Sequence, residues 1–193
     1  MSRIESGKMQ VSNTAFNMRE LLDTVIQLET NPAKEKKLDL LLDCPSSIHA
    51  DFLGDSIRIK QCLINLISNS IKFTPEHGTV SLAYEERDID DSSSVVRFTV
   101  QDTGIGKSEA CMQRIFIPFE QERFSFTSVY TGSGLGLSIV HNLVKLMKGT
   151  ISVESKLNQG TKFVIELPLE MSEPPPPQKT TAQRFPNRNC LKS

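Results

Sequence analysis

The stretch at residues 55–74, DSIRIKQCLINLISNSIKFT, constrains the fold more than any other part of the chain. Laid on a helix at about 100° per residue, Ile59, Leu63, Ile64, Leu66, Ile67 and Ile71 take one broad face. Arg58, Gln61, Asn65, Asn69 and Lys72 fall opposite, in one narrow stripe. An ordinary solvated stripe is mostly Lys and Glu. This one sets two amides a turn apart and ends in a cation, with no carboxylate from Ser56 to Phe73. An Asn side chain offers a neutral carbonyl to a hard cation such as Mg²⁺ and adds no charge that repels a phosphate. A polar helix face without any duty could carry the same residues, so the stripe alone leaves both readings open.

The rest of the composition narrows the setting. At 193 residues the chain can bury one good core, which predicts one domain with room for tails. A formal net charge of −1 gives no argument for wholesale binding to nucleic acid or an anionic membrane. No apolar run approaches the roughly 20 residues of a membrane span, and no signal peptide is legible, so a cytoplasmic setting without direct membrane contact is expected. Cys44, Cys62, Cys111 and Cys190 show no C-x-x-C spacing and fit reduced thiols. His49, His77 and His141 are not spaced as a metal cluster.

In chain order, residues 1–11 read as the end of an upstream helix or as a linker. A helix is expected over residues 16–36, with Asn17 as a cap and Pro32 as an end or kink. Short strands follow at residues 38–42 and 48–53, then the opening helix, capped by Asp55 and stopped at residues 75–78. Alternating strands are predicted at 79–84 and 95–100, joined by an acidic, Ser-rich solvent connection at 85–94. A short helix near 109–116 leads to a long loop from 117 to 132. An amphipathic helix at 135–148 and strands at 150–154 and 162–169 complete the domain, taken as residues 12–170. The proline-led residues 171–193 read as a disordered spacer rather than a polyproline ligand. The fold class expected is α+β: a two-layer sandwich, its mixed sheet of five or six strands covered on one face by three helices.

Two glycine clusters follow the helix. Asp102-Thr103-Gly104-Ile105-Gly106 stands just after a strand, where a carboxylate can accept a hydrogen bond from an exocyclic amine such as adenine's. The pattern alone is weak, and a plain strand-to-loop turn would also produce it. Gly132-Ser133-Gly134-Leu135-Gly136-Leu137 opens a helix, where free N–H groups and close-approach glycines suit a phosphate. It matches neither the dinucleotide fingerprint nor the P-loop, and a small-residue packing contact would also explain it.

Taken in order, Asn65-x-x-x-Asn69-x-x-Lys72-Phe73-Thr74, DTGIG, Phe116-Ile117-Pro118-Phe119, GSGLGL and Gly160-Thr161 form a more specific pattern. It resembles the N, G1, F, G2 and final glycine boxes of the ATP-binding catalytic domain of sensor histidine kinases. That domain belongs to the superfamily shared with DNA gyrase, ATP-driven chaperones and mismatch-repair ATPases. Ile4-Glu5-Ser6-Gly7-Lys8 is similar to the end of the dimerisation helix in hybrid kinases, which pass phosphate to a receiver domain.

The resemblance implies ATP and Mg²⁺ as ligands, with Asn69 on the metal and Asn65 beside it, helping to place metal or phosphate. It implies Lys72, with Asn65, in the transfer chemistry and on phosphate oxygens, and Phe73 at the site wall. Asp102 would read the adenine amine, Gly104 and Gly106 would line the base pocket, and Thr161 would hold a water. Gly132, Ser133, Gly134, Leu135 and Gly136 would meet the phosphates. Residues 117–131 would be the ATP lid, with Phe116 and Phe119 packing it and Arg123 supplying a cation. The implied partners are a histidine-bearing dimerisation domain and a response-regulator receiver domain.

Three departures stand out. None of the three histidines has the acceptor's flanking Glu or Asp-x-x-x-Pro context, so the phospho-accepting histidine would lie outside this chain. Ser128 and Thr131 stand where Arg and Gly are common in the lid, and Lys107 and Ser108 where Ile and Pro are common. The rival readings are a non-catalytic nucleotide-binding module and a serine-directed kinase of the same superfamily. A gyrase-like ATPase fits least, because Asn65 stands where a general-base Glu is expected.

Overall fold

The computed structural model describes residues 11–48, 50–90, 92–117 and 135–172. Strand β1 (Thr14–Asn17) leads into helix α1 (Met18–Glu35), followed by β2 (Asp39–Asp43) and β3 (Asp51–Gly54). Helix α2 (Ser56–Phe73) precedes the long strands β4 (Thr79–Asp90) and β5 (Ser93–Asp102). The one-turn helix α3 (Glu109–Met112), helix α4 (Gly136–Leu146), and strands β6 (Thr150–Lys156) and β7 (Gly160–Met171) complete the order.

The strands form one seven-stranded sheet in the order β1-β3-β7-β5-β4-β2, with β6 also paired to β7. β2 runs parallel to β4 and every other pairing is antiparallel, so the sheet is mixed. β6 takes Gly160 to Glu166 of β7, and β3 takes its far end at Glu170 and Met171, so the two share one edge of that strand. Alternate residues of the central strands, such as Val80, Leu82, Val96, Phe98, Phe163 and Ile165, are buried. They meet Leu22 and Val25 of α1, Leu63, Leu66 and Ile67 of α2, and Val140 and Leu143 of α4 in one core. Each such aliphatic side chain contributes about 1.5–3 kcal/mol on full burial. The two-layer α+β expectation holds.

The strand count does not: among the described residues seven replace the expected five or six. Thr14–Asn17 is too short and too exposed to show a period, and it becomes a strand through its ladder with β3. Helix α1 accordingly starts at Met18 rather than residue 16, with Asn17 Oδ1 accepting from the Glu20 N–H at 3.1 Å as its cap. Pro32 neither ends nor breaks it. Pro32 and Leu28, one turn back, are both exposed, so the carbonyl that loses its partner lies on the water side.

The expected solvent connection at 85–94 is also corrected. β4 and β5 continue as a ladder to Asp90 and Ser93. Arg97 bridges Glu85 at 3.5 Å and Glu166 at 2.7 Å on the sheet's outer face. Cross-strand charge pairing sustains these strands without an apolar alternation. β7 likewise runs to Met171, where its N–H bonds the Ser92 carbonyl at 2.8 Å.

Candidate nucleotide site

α2 is fixed at both ends, which sets its polar stripe in place. Asp55 is buried; its Oδ1 accepts from the Arg58 N–H at 3.0 Å and its Oδ2 from the Ser12 N–H at 3.0 Å. At the far end, Thr74 closes the last turn through N–H and hydroxyl bonds to the Ser70 carbonyl at 3.0 and 2.6 Å. The Lys36 ammonium, from the end of α1, donates to the carbonyls of Ile71 and Lys72. A cation there satisfies orphan carbonyls and offsets the negative end of the helix. Partial burial pushes the Lys36 ammonium below the usual lysine range.

Asn65, Asn69 and Lys72 are half-buried, neither in the core nor fully in water. The first residue of α4 faces them. A Cβ on Gly136 would lie 3.5 Å from Asn69 Nδ2 and 3.8 Å from Asn65 Oδ1. The second glycine cluster and the amide stripe, 67–71 residues apart in sequence, therefore meet across the α2–α4 interface. Leu135, at the N-cap of α4, makes no side-chain cap hydrogen bond.

Asp102 ends β5 and is 5% exposed. Its Oδ2 accepts from the Ser70 hydroxyl at 2.9 Å, and its Oδ1 from the N–H groups of Gly104 at 2.9 Å and Thr161 at 3.2 Å. An ionised carboxylate has about four acceptor positions. Three are filled, and the one left is on Oδ2. Ser70 was not singled out from sequence, although a hydroxyl on the apolar side of α2, 2% exposed, is a signal that could have found it.

The glycines crowd this point. A Cβ on Gly104 would approach Asp102 Oδ1 and the Phe73 carbonyl oxygen to 2.7 Å each. Gly160, at φ 91°, would drive one to 1.9 Å from the Asp102 carbonyl oxygen. Gly106 packs against the backbone of Lys156, which ties the loop to β6. The Ile105 N–H bonds the Phe73 carbonyl at 3.2 Å, tying the first glycine loop to the end of α2. Thr161 is buried, and its hydroxyl lies 2.9 Å from that of Ser155. Ser155 donates to the Gly160 carbonyl at 2.9 Å, which makes Thr161 the donor of the pair and leaves its lone pairs open.

Phe116 stacks on His141 of α4, with ring centroids 4.9 Å apart and planes within 16°. Phe119, Arg123, Ser128, Thr131, Gly132, Ser133 and Gly134 lie outside the described residues, as do His49 and Cys190. His77 occupies a turn at φ 67°.

The donor set suits Mg²⁺ carried on phosphate. Two neutral amides converge on one helix N-terminus, and no group of His, Cys, Asp or Glu among the described residues is arranged around a metal of its own. A hard cation that keeps phosphate and water ligands needs few protein oxygens.

Residues 54–171 match the family model described as histidine kinase-, DNA gyrase B- and HSP90-like ATPase. The chain is 38% identical over 174 residues to the autoinducer 2 sensor kinase/phosphatase LuxQ of Vibrio cholerae, covering 90% of this chain and 20% of that protein. It is 34% identical over 171 residues to the signal transduction histidine-protein kinase BarA of Escherichia coli, covering 89% of this chain and 18% of BarA. The chain thus spans about a fifth of the length of these relatives. Among solved structures, full-length ShkA in complex with AMPPNP superposes with a TM-score of 0.75 at 33% identity, covering 88% of this chain and 34% of that one. The catalytic domain of histidine kinase ThkA gives a TM-score of 0.65 at 30% identity, covering 83% of this chain and 96% of that one. The contact of Gly136 with Asn65 and Asn69 is thus set in a fold that histidine kinases share, and the chain belongs to the histidine kinase-, DNA gyrase B- and HSP90-like ATPase family, in its histidine-kinase branch.

Proposed function

We propose that this chain binds Mg-ATP and presents its γ-phosphate to a histidine on a dimerisation domain. The observation that carries this reading is the buried Asp102, whose Oδ2 accepts from Ser70 of α2 and keeps a further acceptor position, while the same helix sets Asn65 and Asn69 against Gly136. The adenine amine would donate to Oδ2, and Thr161 would orient a water beside the base. Phosphates would take the leading N–H groups of α4, with Lys72 neutralising charge. Asn69, with Asn65 next to it, would hold the Mg²⁺. The ion would supply charge neutralisation at the phosphates as the bond to the leaving oxygen breaks. The chain's own residues position and screen; none of them is the acceptor.

The stripe contains no carboxylate to activate water, which favours a transferase over a hydrolase. The ThkA kinase has been solved in complex with the response regulator TrrA, at 28% identity and a TM-score of 0.65 to this chain. A receiver domain downstream of the acceptor histidine is the corresponding partner here. Among the described residues no helix is long and apolar enough to cross a membrane.

The test is transfer in trans. This chain, a histidine-bearing dimerisation domain and γ-labelled ATP should give acid-labile phosphate on that domain. Acid-stable label would point to a serine-directed kinase, and ATP binding without any transfer to a regulatory module.

A further inference from the structure

We propose that Lys107 is a second cation for the nucleotide's phosphates, a binding residue added by this chain at the end of its first glycine loop. The inference rests on the nucleotide reading of the cleft. Lys107 follows Gly106, which is held against β6, so the backbone that projects its side chain is anchored. Its ammonium lies 5.1 Å from the centroid of the Phe73 ring, and that of Lys72 lies 5.0 Å from the same centroid. The two ammoniums are therefore within about 10 Å of each other, about one Debye length at 0.1 M salt.

Neither has a hydrogen bond or an ion pair with any described residue. Asp102 is turned inward to Ser70, Gly104 and Thr161, and Glu76 is paired with Lys37 at 2.7 Å. Lys36, the third lysine at this end of α2, is committed to helix carbonyls. Two like charges gathered on one aromatic ring, at the end of a helix that bears no carboxylate, form a positive field that a polyphosphate would neutralise. The aromatic face also limits where each ammonium can go, so less side-chain freedom is lost on binding. A cation–π contact with no ligand duty would use the same geometry, and the two differ in what the charge does to phosphate affinity.

Lys107→Met keeps the stem on the Phe73 ring and removes the charge; Lys107→Arg keeps the charge. Calorimetric titration of the full chain with ATP and with adenosine, both with Mg²⁺, separates the cases. Lys107→Met should weaken ATP about three- to tenfold, the range of one partly exposed charged contact, and leave adenosine unchanged. Lys107→Arg should keep ATP affinity within about twofold, and wild-type ATP affinity should fall more steeply with salt than that of Lys107→Met. Unchanged ATP affinity in Lys107→Met, beside a wild type that binds, would overturn the assignment alone. Equal losses for ATP and adenosine would also overturn it, by placing the residue with the base or the loop's folding. A wild type that binds neither ligand would overturn this inference together with the nucleotide reading.

Discussion

Ser70 Oγ lies 2.9 Å from Asp102 Oδ2, and this one hydrogen bond joins the buried side of the last turn of α2 to the end of β5. Both side chains are buried, so the hydroxyl has no water to fall back on and the carboxylate depends on it for one of three donors. A buried carboxylate that lacks a donor is costly, because desolvation is no longer compensated.

Ser70→Ala should therefore lower unfolding stability by about 1–3 kcal/mol in urea melts, the usual cost of a bond to a buried charged group. It should also weaken adenosine and ATP alike, because the orientation of Asp102 serves the base and not the phosphates. A loss confined to ATP would place Ser70 elsewhere in the chemistry.

Asn69→Ala removes an amide beside Gly136 without adding charge. Nucleotide affinity measured with Mg²⁺ should fall at least about tenfold, the loss expected of one well-placed ligand to a hard cation. Affinity measured in EDTA should hardly change. Equal affinities with and without Mg²⁺ in both proteins would sink the metal assignment.

Glu29 sits on the buried side of α1, 6% exposed, with no hydrogen bond or ion pair to any described residue. Desolvation holds its carboxyl above the usual carboxylate range. The unfolded chain therefore releases this proton first as pH rises. The stability tied to the neutral acid is complete below the unfolded value and is lost as pH climbs through the folded one. Glu29→Met should gain stability over wild type at pH 7, and the gap should close toward pH 4. A gap that is constant across that range would exclude ionisation of Glu29 as its source.

His141 is pushed below the ordinary histidine value, first by burial and then by the neighbouring Lys145 charge. Here the unfolded chain takes up the proton first as pH falls. Stability is full above the unfolded value, near pH 6.5, and is lost as pH drops through the folded one. The imidazole resonances of His141 should titrate with a midpoint below 6.5, and His141→Gln should flatten the loss of stability below pH 6.5. Because Phe116 stacks on this ring, its aromatic resonances should report the same midpoint.

Much of this site was written locally. The stripe of α2 is a matter of 3.6-residue periodicity, and Asp55 as its cap needs only a short polar side chain ahead of an apolar run. Both lie in the structure where the sequence places them. The glycine clusters were legible as loops, but the backbone that each would crowd was not. Gly106 proves to be a packing anchor on β6, which no local pattern predicts. β1 escaped notice because four exposed-to-intermediate residues carry no alternation, and the extension of β4 and β5 escaped because their outer faces are charged.

The sequence by itself determined the amphipathic helices, the alternating strands and the box residues, because these follow from covalent geometry and from spacings of two to four residues. Tertiary structure alone decided which of them meet. Ser70 and Thr161 reach Asp102 from 32 and 59 residues away, and Gly136 reaches Asn65 and Asn69 only because α2 and α4 lie side by side on the sheet. The same packing brings Lys72 and Lys107 to one ring. Burial of the three helices' apolar faces supplies the driving force for those encounters, and it is indifferent to the polar residues it brings together.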